Sequence, residues 1–215
     1  MWVSTVEPPP TGGVRGGRQP VTTKADISHV AFQLFATHGY DETTVDQIAK
    51  AVGIGRRTLF RYFSSKNDIA WGDFDDMLEH FRETLQTVDP ELPLVDTLQQ
   101  AVVEFNTFPD EEILYHRERL TMLLTVPSLV GHSTLRYAGW RMVIQEFVAK
   151  RLECSPEDLA PRTVAWLCLG LALAAYEQWL ADPGSRLPDL LTDTFSVLGS
   201  LAEARGVSLT GFSSG

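Results

Sequence analysis

From Thr23 to the end of the chain, apolar residues recur with the period of an α-helix, and no strand-like alternation persists. Ile27, Val30, Ala31, Leu34 and Phe35 fall at i, i+3, i+4, i+7 and i+8, forming one stripe that Gly39 ends as a C-terminal cap. Val45, Ile48, Ala49 and Val52 repeat the pattern over a short second helix. Thr43 and Thr44 lead into it, with Asp46 and Gln47 placed for a capping box. Gly53-Ile54-Gly55 interrupts, and Arg56 to Phe63 form a third helix. Ser65 to Asp68 open a fourth, with Trp71, Phe74, Met77, Leu78, Phe81 and Leu85 along one side. Five more follow, punctuated by Pro90, Pro93, Pro127, Pro156, Pro161 and Asp182-Pro183-Gly184. The predicted fold is all-α with about nine helices. The expected divisions are an arm over 1–21, a three-helix head over 22–67, a larger body over 68–205 and a flexible tail over 206–215.

Charge divides along the same boundary. Residues 1–67 hold 8 Lys/Arg against 5 Asp/Glu, whereas residues 68–215 hold 10 against 23. A net charge of −10 argues against nucleic acid as a partner, but a basic head on an acidic body argues for it. With 44% hydrophobic residues the chain can bury a sizeable core. Cys154 and Cys168 are too few for a disulfide framework. The first 25 residues contain no apolar run, and Val164 to Tyr176 falls short of the roughly 20 residues of a membrane span. A cytoplasmic protein is expected. The Pro/Gly-rich arm carries Arg15 and Arg18, which can reach a minor groove or remain solvated.

Residues 44–63 have the layout of a helix-turn-helix. Ala49 permits a close crossing, Gly53 four positions later supplies the turn, and Ile54 and Leu59 pin the second helix on the first. Arg56, Arg57, Thr58, Arg61 and Tyr62 are then left facing outward. Arg56 and Arg57 occupy the first turn of their helix, where the macrodipole disfavours cations. A local rule broken without an internal partner points to an external one, and DNA supplies it.

The stretch GIGRRTLFRYFSSKNDI closely resembles the N-terminal signature of TetR-like regulators, and the likeness extends in pattern over residues 24–205. The resemblance implies a dimer whose third helix enters the major groove. It implies Arg56, Arg57 and Arg61 as base-edge readers and Thr44, Thr58, Tyr62 and Lys66 as phosphate contacts. Phe60 stands where the family often has tyrosine, which removes a hydroxyl contact. The runs AWGDFDDML, TLRYAGW and ALAAYEQWLADP are similar to actinobacterial regulators associated with mycofactocin gene clusters. That likeness implies control of genes for a peptide-derived redox cofactor.

The expected function is a repressor of a palindromic operator, released by an apolar small-molecule effector. Trp71, Phe74, Leu78, Phe105, Met122 and Trp140 are candidates for the effector cavity, although aromatics at helical spacing are more often plain core. His116 and Arg136 interrupt apolar faces. His116 is expected as a hydrogen-bonded core residue, and Arg136 either reads an acidic ligand group or pairs with a carboxylate. A long-chain acyl-CoA fits an apolar wall with Arg117, Arg119 and Arg141 as a cationic rim. The last two helices offer apolar faces for a dimer in which the heads span successive major grooves. No cofactor or metal is expected. One alternative is a ligand-independent DNA-binding activator or architectural protein. A remote one is an all-helical metal enzyme, for which Glu112 and His116 are the only suggestive pair.

Overall fold

The computed structural model describes residues 22–203, so the arm over 1–21 and the tail over 206–215 lie outside the described residues. Ten α-helices and one 3-10 turn account for the fold, with no strand among the described residues. The head comprises α1 (Lys24–His38), α2 (Val45–Val52) and α3 (Arg56–Tyr62). A short α4 (Lys66–Trp71) leads into the body: α5 (Phe74–Thr87), α6 (Leu94–Phe105), α7 (Ile113–Thr125), α8 (Pro127–Arg151), α9 (Leu159–Ala181) and α10 (Leu187–Glu203).

The head is set by its caps. Thr23 and Asp26 form a capping box on α1, and Thr44 and Gln47 form one on α2. At the turn of the helix-turn-helix, Gly53 lies in the left-handed region at φ 78°. Its N–H donates to the Lys50 carbonyl, and the Ile54 N–H reaches back to Ala49 at 3.0 Å. This paired closure satisfies two carbonyls that the end of α2 would otherwise leave open. Ile27, Ala31, Ile48 and Leu59 are fully enclosed beneath it, with Ile54 half-buried at the edge. Phe35, Tyr40 and Phe63 complete the head's core.

In the body, α8 lies against α5, α7 and α9, and α9 against α10. Pro127 stands at the first position of α8, where its missing N–H costs nothing. At 23 residues, α9 is longer than the apolar run suggested and passes the length and composition test for a membrane span. Its Ala165, Cys168, Leu169, Ala172, Ala175 and Trp179 are nevertheless packed inside the body. Burial raises the Cys168 thiol to about 12, so it is a small apolar core residue rather than a thiolate.

One expectation is corrected. The single fourth helix predicted from Lys66 to Leu85 is two helices, broken at Gly72 (φ 63°, ψ −138°). The Gly72 N–H closes the end of α4 on the Asp68 and Ile69 carbonyls, and non-local neighbours crowd the position. A Cβ at position 72 would lie 3.0 Å from the Arg119 guanidinium and 3.4 Å from Ser28 Oγ. Gly72 therefore turns the backbone where a Cβ would crowd Arg119. Trp71 and Phe74 remain in contact across the break, their rings meeting edge to face at 4.8 Å, so the apolar stripe survives.

Gly72→Ala combines this contact with a backbone conformation foreign to alanine and should lower stability by about 1–3 kcal/mol. Gly131→Ala, exposed within α8 with open space at its Cβ, should raise it by about 0.5–1 kcal/mol. Urea unfolding of the two variants distinguishes a required glycine from an incidental one.

Candidate functional site

The exposed face of α3 is basic but not uniformly free. Arg57 and Arg61 are exposed, with no ion pair or hydrogen bond among the described residues. Arg56 departs from expectation. Its Nη1 donates to Asp46 on α2 at 2.8 Å and its guanidinium lies 5.5 Å from the Phe60 ring. An internal partner thus offsets its unfavourable position at the helix N-terminus. Both members of that pair are more than half exposed, which makes it weak and exchangeable. Phe60 is partly solvent-facing, and Thr58 is half-buried.

Three residues expected on phosphate are engaged within the protein. Thr44 Oγ1 donates to Gln47 and accepts from its N–H as the α2 cap. The Tyr62 hydroxyl donates to the Thr22 carbonyl at 2.9 Å, tying the start of α1 to α3. Lys66 Nζ donates to the carbonyls of Tyr40 and Thr43 at 2.9 and 3.1 Å and lies 4.2 Å from the Tyr40 ring centroid. Lys66 therefore holds the α1–α2 turn against the start of α4.

A second cluster joins head to body. The Asp68 carboxylate accepts from Ser65 at the start of α4, from Arg136 on α8, and lies 2.9 Å from His132 Nε2. Arg136 also donates to Asp75 on α5 at 2.9 Å. Of the two roles open to Arg136, the structure gives the carboxylate pair. His132 was not singled out in the sequence, although its spacing one turn before Arg136 places both on one face of α8. Burial pushes the Asp68 carboxyl upward, but the bonds from Ser65 and Arg136 and the nearby positive charges outweigh it, leaving a pKa below the ordinary value.

The body holds a partly open apolar cavity of about 70 Å³. Trp71, Phe74, Phe105, His116 and Trp140, all expected there, line it. Leu78 instead packs towards Gly139 on α8, Met122 lies among the half-buried residues around the core, and Arg136 is in the ion-pair cluster. Tyr137, Tyr176, Asn106 and Arg119 were not foreseen as wall residues. His116 stacks on Phe108 and lies 3.3 Å from Glu112; burial lowers its pKa and favours the neutral ring.

Of the three arginines expected as a cationic rim, only Arg119 lines the cavity. Arg117 donates to the carbonyls of Trp179 and Asp182 and covers the Trp179 ring, closing the end of α9. Arg141 lies over the Trp166 ring at 3.6 Å. Arg119 turns inward: its Nε donates to the Ala70 carbonyl at 3.1 Å and its Nη2 to that of Trp71. It thereby closes the C-terminal end of α4 from α7 while forming part of the cavity wall.

Comparison with known proteins identifies this arrangement. Residues 27–70 match the family described as bacterial regulatory proteins, tetR family, and residues 92–202 match the MftR C-terminal domain. The chain belongs to the TetR family. It is a DNA-binding transcriptional regulator and not an enzyme. A Mycobacterium tuberculosis protein provisionally assigned as the mycofactocin biosynthesis transcriptional regulator MftR is 47% identical over 186 residues, covering 86% of this chain and 94% of that one. TcmR of Streptomyces glaucescens is 39% identical over 64 residues, 30% of this chain and 28% of its own. Among solved folds, Thermus thermophilus FadR in complex with lauroyl-CoA aligns with a TM-score of 0.55 at 20% identity, covering 82% of this chain and 93% of that one. Bacillus subtilis FadR in complex with stearoyl-CoA aligns with a TM-score of 0.57 at 18% identity, covering 82% and 97%.

Asp68→Asn removes the negative charge facing His132 and Arg136 and one of the two accepting oxygens, and should cost about 1–3 kcal/mol. A carboxyl whose folded pKa lies below its unfolded value stabilises fully above the unfolded value and loses that contribution as pH falls through the folded one. The wild-type stability curve should therefore drop on acidification below the ordinary carboxylate range, and the variant's should drop less. Thermal unfolding from pH 7 down to pH 3 measures both.

Proposed function

We propose that this regulator is a dimeric repressor that grips a palindromic operator through α3 and releases it when an apolar acyl ligand enters the aromatic cavity. The observation that carries this reading is the position of that cavity. Trp71 and Arg119 on its wall belong to the same assembly that ends α4, and α4 connects the head to the body.

The cavity holds only a few waters, whereas pockets for drug-sized ligands measure roughly 300–1,000 Å³. An acyl chain must therefore part the surrounding helices to enter. That requirement gives the ligand a means of moving α4: its binding favours an expanded body, and the operator favours the compact one. The choice of acyl-CoA draws on the FadR neighbours and on the apolar, aromatic lining. Control of mycofactocin-related genes draws on the mycobacterial relative. Such a regulator acts in the cytoplasm.

On the head, Arg57 and Arg61 are proposed to read base edges, joined by Arg56 once it leaves Asp46. Thr58 is proposed to reach phosphate from the same face, with Phe60 packing beside the backbone. Thr44 and Tyr62 meet phosphate only in addition to their present partners. For Lys66 a positioning role replaces the phosphate contact. The proposed dimer uses α9 and α10, where Leu159, Trp166, Leu167 and Val197 are exposed apolar residues; Leu159 is 81% and Trp166 56% exposed. Two such helix pairs form a four-helix bundle across a two-fold axis and set the heads for successive major grooves.

Arg57→Ala should weaken specific operator binding by about 1–3 kcal/mol and random DNA much less; equal loss on both would make it a phosphate contact. Lys66→Ala should lower thermal stability and leave the salt slope of binding unchanged, whereas a slope flatter by about one unit would restore the phosphate role. Sedimentation should give twice the chain mass at micromolar concentration, and Trp166→Glu should return it to one. The effector reading requires heat on titration with a long-chain acyl-CoA and release of operator upstream of the protein's own gene. Neither occurring would overturn it.

A further inference from the structure

We infer that Arg119 is the residue by which the cavity recognises an acyl oxygen, a carboxylate or a thioester carbonyl, and passes its binding to the α4–α5 joint. The inference rests on the acyl-effector reading and specifies which atom of the ligand is read and by what.

Three observations converge on it. First, Arg119 is the one permanently charged side chain on the cavity wall; the remaining lining is aromatic, aliphatic or neutral polar. Second, it forms no ion pair with any carboxylate among the described residues; its bonds go to the Ala70 and Trp71 carbonyls. Asp73, the acid at the joint, has a buried oxygen without a partner rather than a bond to the guanidinium. A half-buried guanidinium whose hydrogen bonds go only to backbone carbonyls, with Asp73 acting on it through space, keeps donors to offer an anion or a strong acceptor. Third, Trp71 is 5% exposed, its indole N–H has no partner, and it lines the same cavity. Buried donors without partners are rare, and one in a ligand-sized hollow marks where an acceptor is missing. One unpartnered buried indole N–H and a guanidinium with donors to spare thus stand on a wall that otherwise suits a hydrocarbon chain.

The consequence for α4 follows from geometry. Ala70 and Trp71 supply the last carbonyls of the helix, and Gly72 leaves room for the guanidinium beside them. An acyl oxygen that draws Arg119 into the cavity withdraws donors from those carbonyls. The joint at Gly72, already in a conformation only glycine adopts readily, is then free to reorient. Arg119 is in this sense both a ligand contact and the positioning residue of the joint.

The test titrates the full-length protein with dodecanoate, dodecanoyl-CoA and dodecylamine, which share a twelve-carbon chain and differ in the head group. Binding is read by calorimetry, and the backbone amides of residues 70–73 by hydrogen exchange. At least one acyl ligand should bind about tenfold or more tightly than the amine, as expected for a charge-assisted hydrogen bond, and should accelerate exchange at the joint. Binding by dodecanoate assigns the carboxylate, and binding by dodecanoyl-CoA alone assigns the thioester carbonyl. Arg119→Gln should reduce acyl affinity to that of the amine. Equal binding of amine and acyl ligands, or full acyl affinity in a folded Arg119→Gln variant, overturns the role of Arg119 and leaves the effector reading intact. Binding of none of the three by the wild type overturns the effector reading itself. Should Arg119→Gln fail to fold, the amine–acyl contrast on the wild type decides alone.

Discussion

The closure of α4 by Arg119 is the contact on which the arrangement of head and body depends. A helix of six residues cannot be stable by its own hydrogen bonds, because nucleation consumes as much order as so short a ladder returns. It persists here because both ends are held from elsewhere in the fold. Ser65 caps its start, Asp68 in its first turn is bound by His132 and Arg136 from α8, and its last carbonyls receive the α7 guanidinium. Gly72 is required for the last of these. The connector is thus stiff by virtue of three body side chains, and a change in any of those helices reaches the head through it.

This makes the connector a natural low-stability element. Its ends depend on polar contacts that are individually modest, while Ile69, Ala70 and Trp71 bury its apolar face in a core that runs on into the head around Ile48 and Leu59 and into the body around Phe81 and Ile144. Motion should therefore concentrate at the polar closures of α4 rather than within the shared core. The aromatic cavity lies directly beside it, with Trp71 shared between the core, the cavity and the α4 terminus.

Much of the head was legible in the sequence because its determinants are local. The box at Thr44 and the turn at Gly53 involve residues at most five apart, and periodicity located the faces that Ile27, Ala31 and Leu59 bury. What escaped was mostly non-local. Gly72 is a local stop signal that the unbroken apolar stripe from Trp71 to Leu85 masked, and the arginine 47 positions later that packs beside it could not be read from its neighbours. Lys66 and Tyr62 look like exposed polar residues of a DNA-binding surface until Tyr40, Thr43 and Thr22 come into contact with them. The cavity was half legible: five aromatic or histidine residues were placed by their stripes, whereas Leu78 and Met122 carry the same periodic signal and serve as core. Arg119 was expected at the rim beside Arg117 and Arg141, and only its carbonyl partners on α4, distant in sequence, reveal that it also closes that helix.

The central claim is that operator and effector compete through one compact body, so their binding free energies must be coupled reciprocally. Measuring the affinity of the acyl effector for the free dimer and for the operator-bound dimer tests this most directly. The account predicts weaker effector binding on the operator, by the same factor as that by which the effector weakens operator affinity, with typical couplings of roughly 5–150-fold. Equal effector affinity in the two states would contradict it.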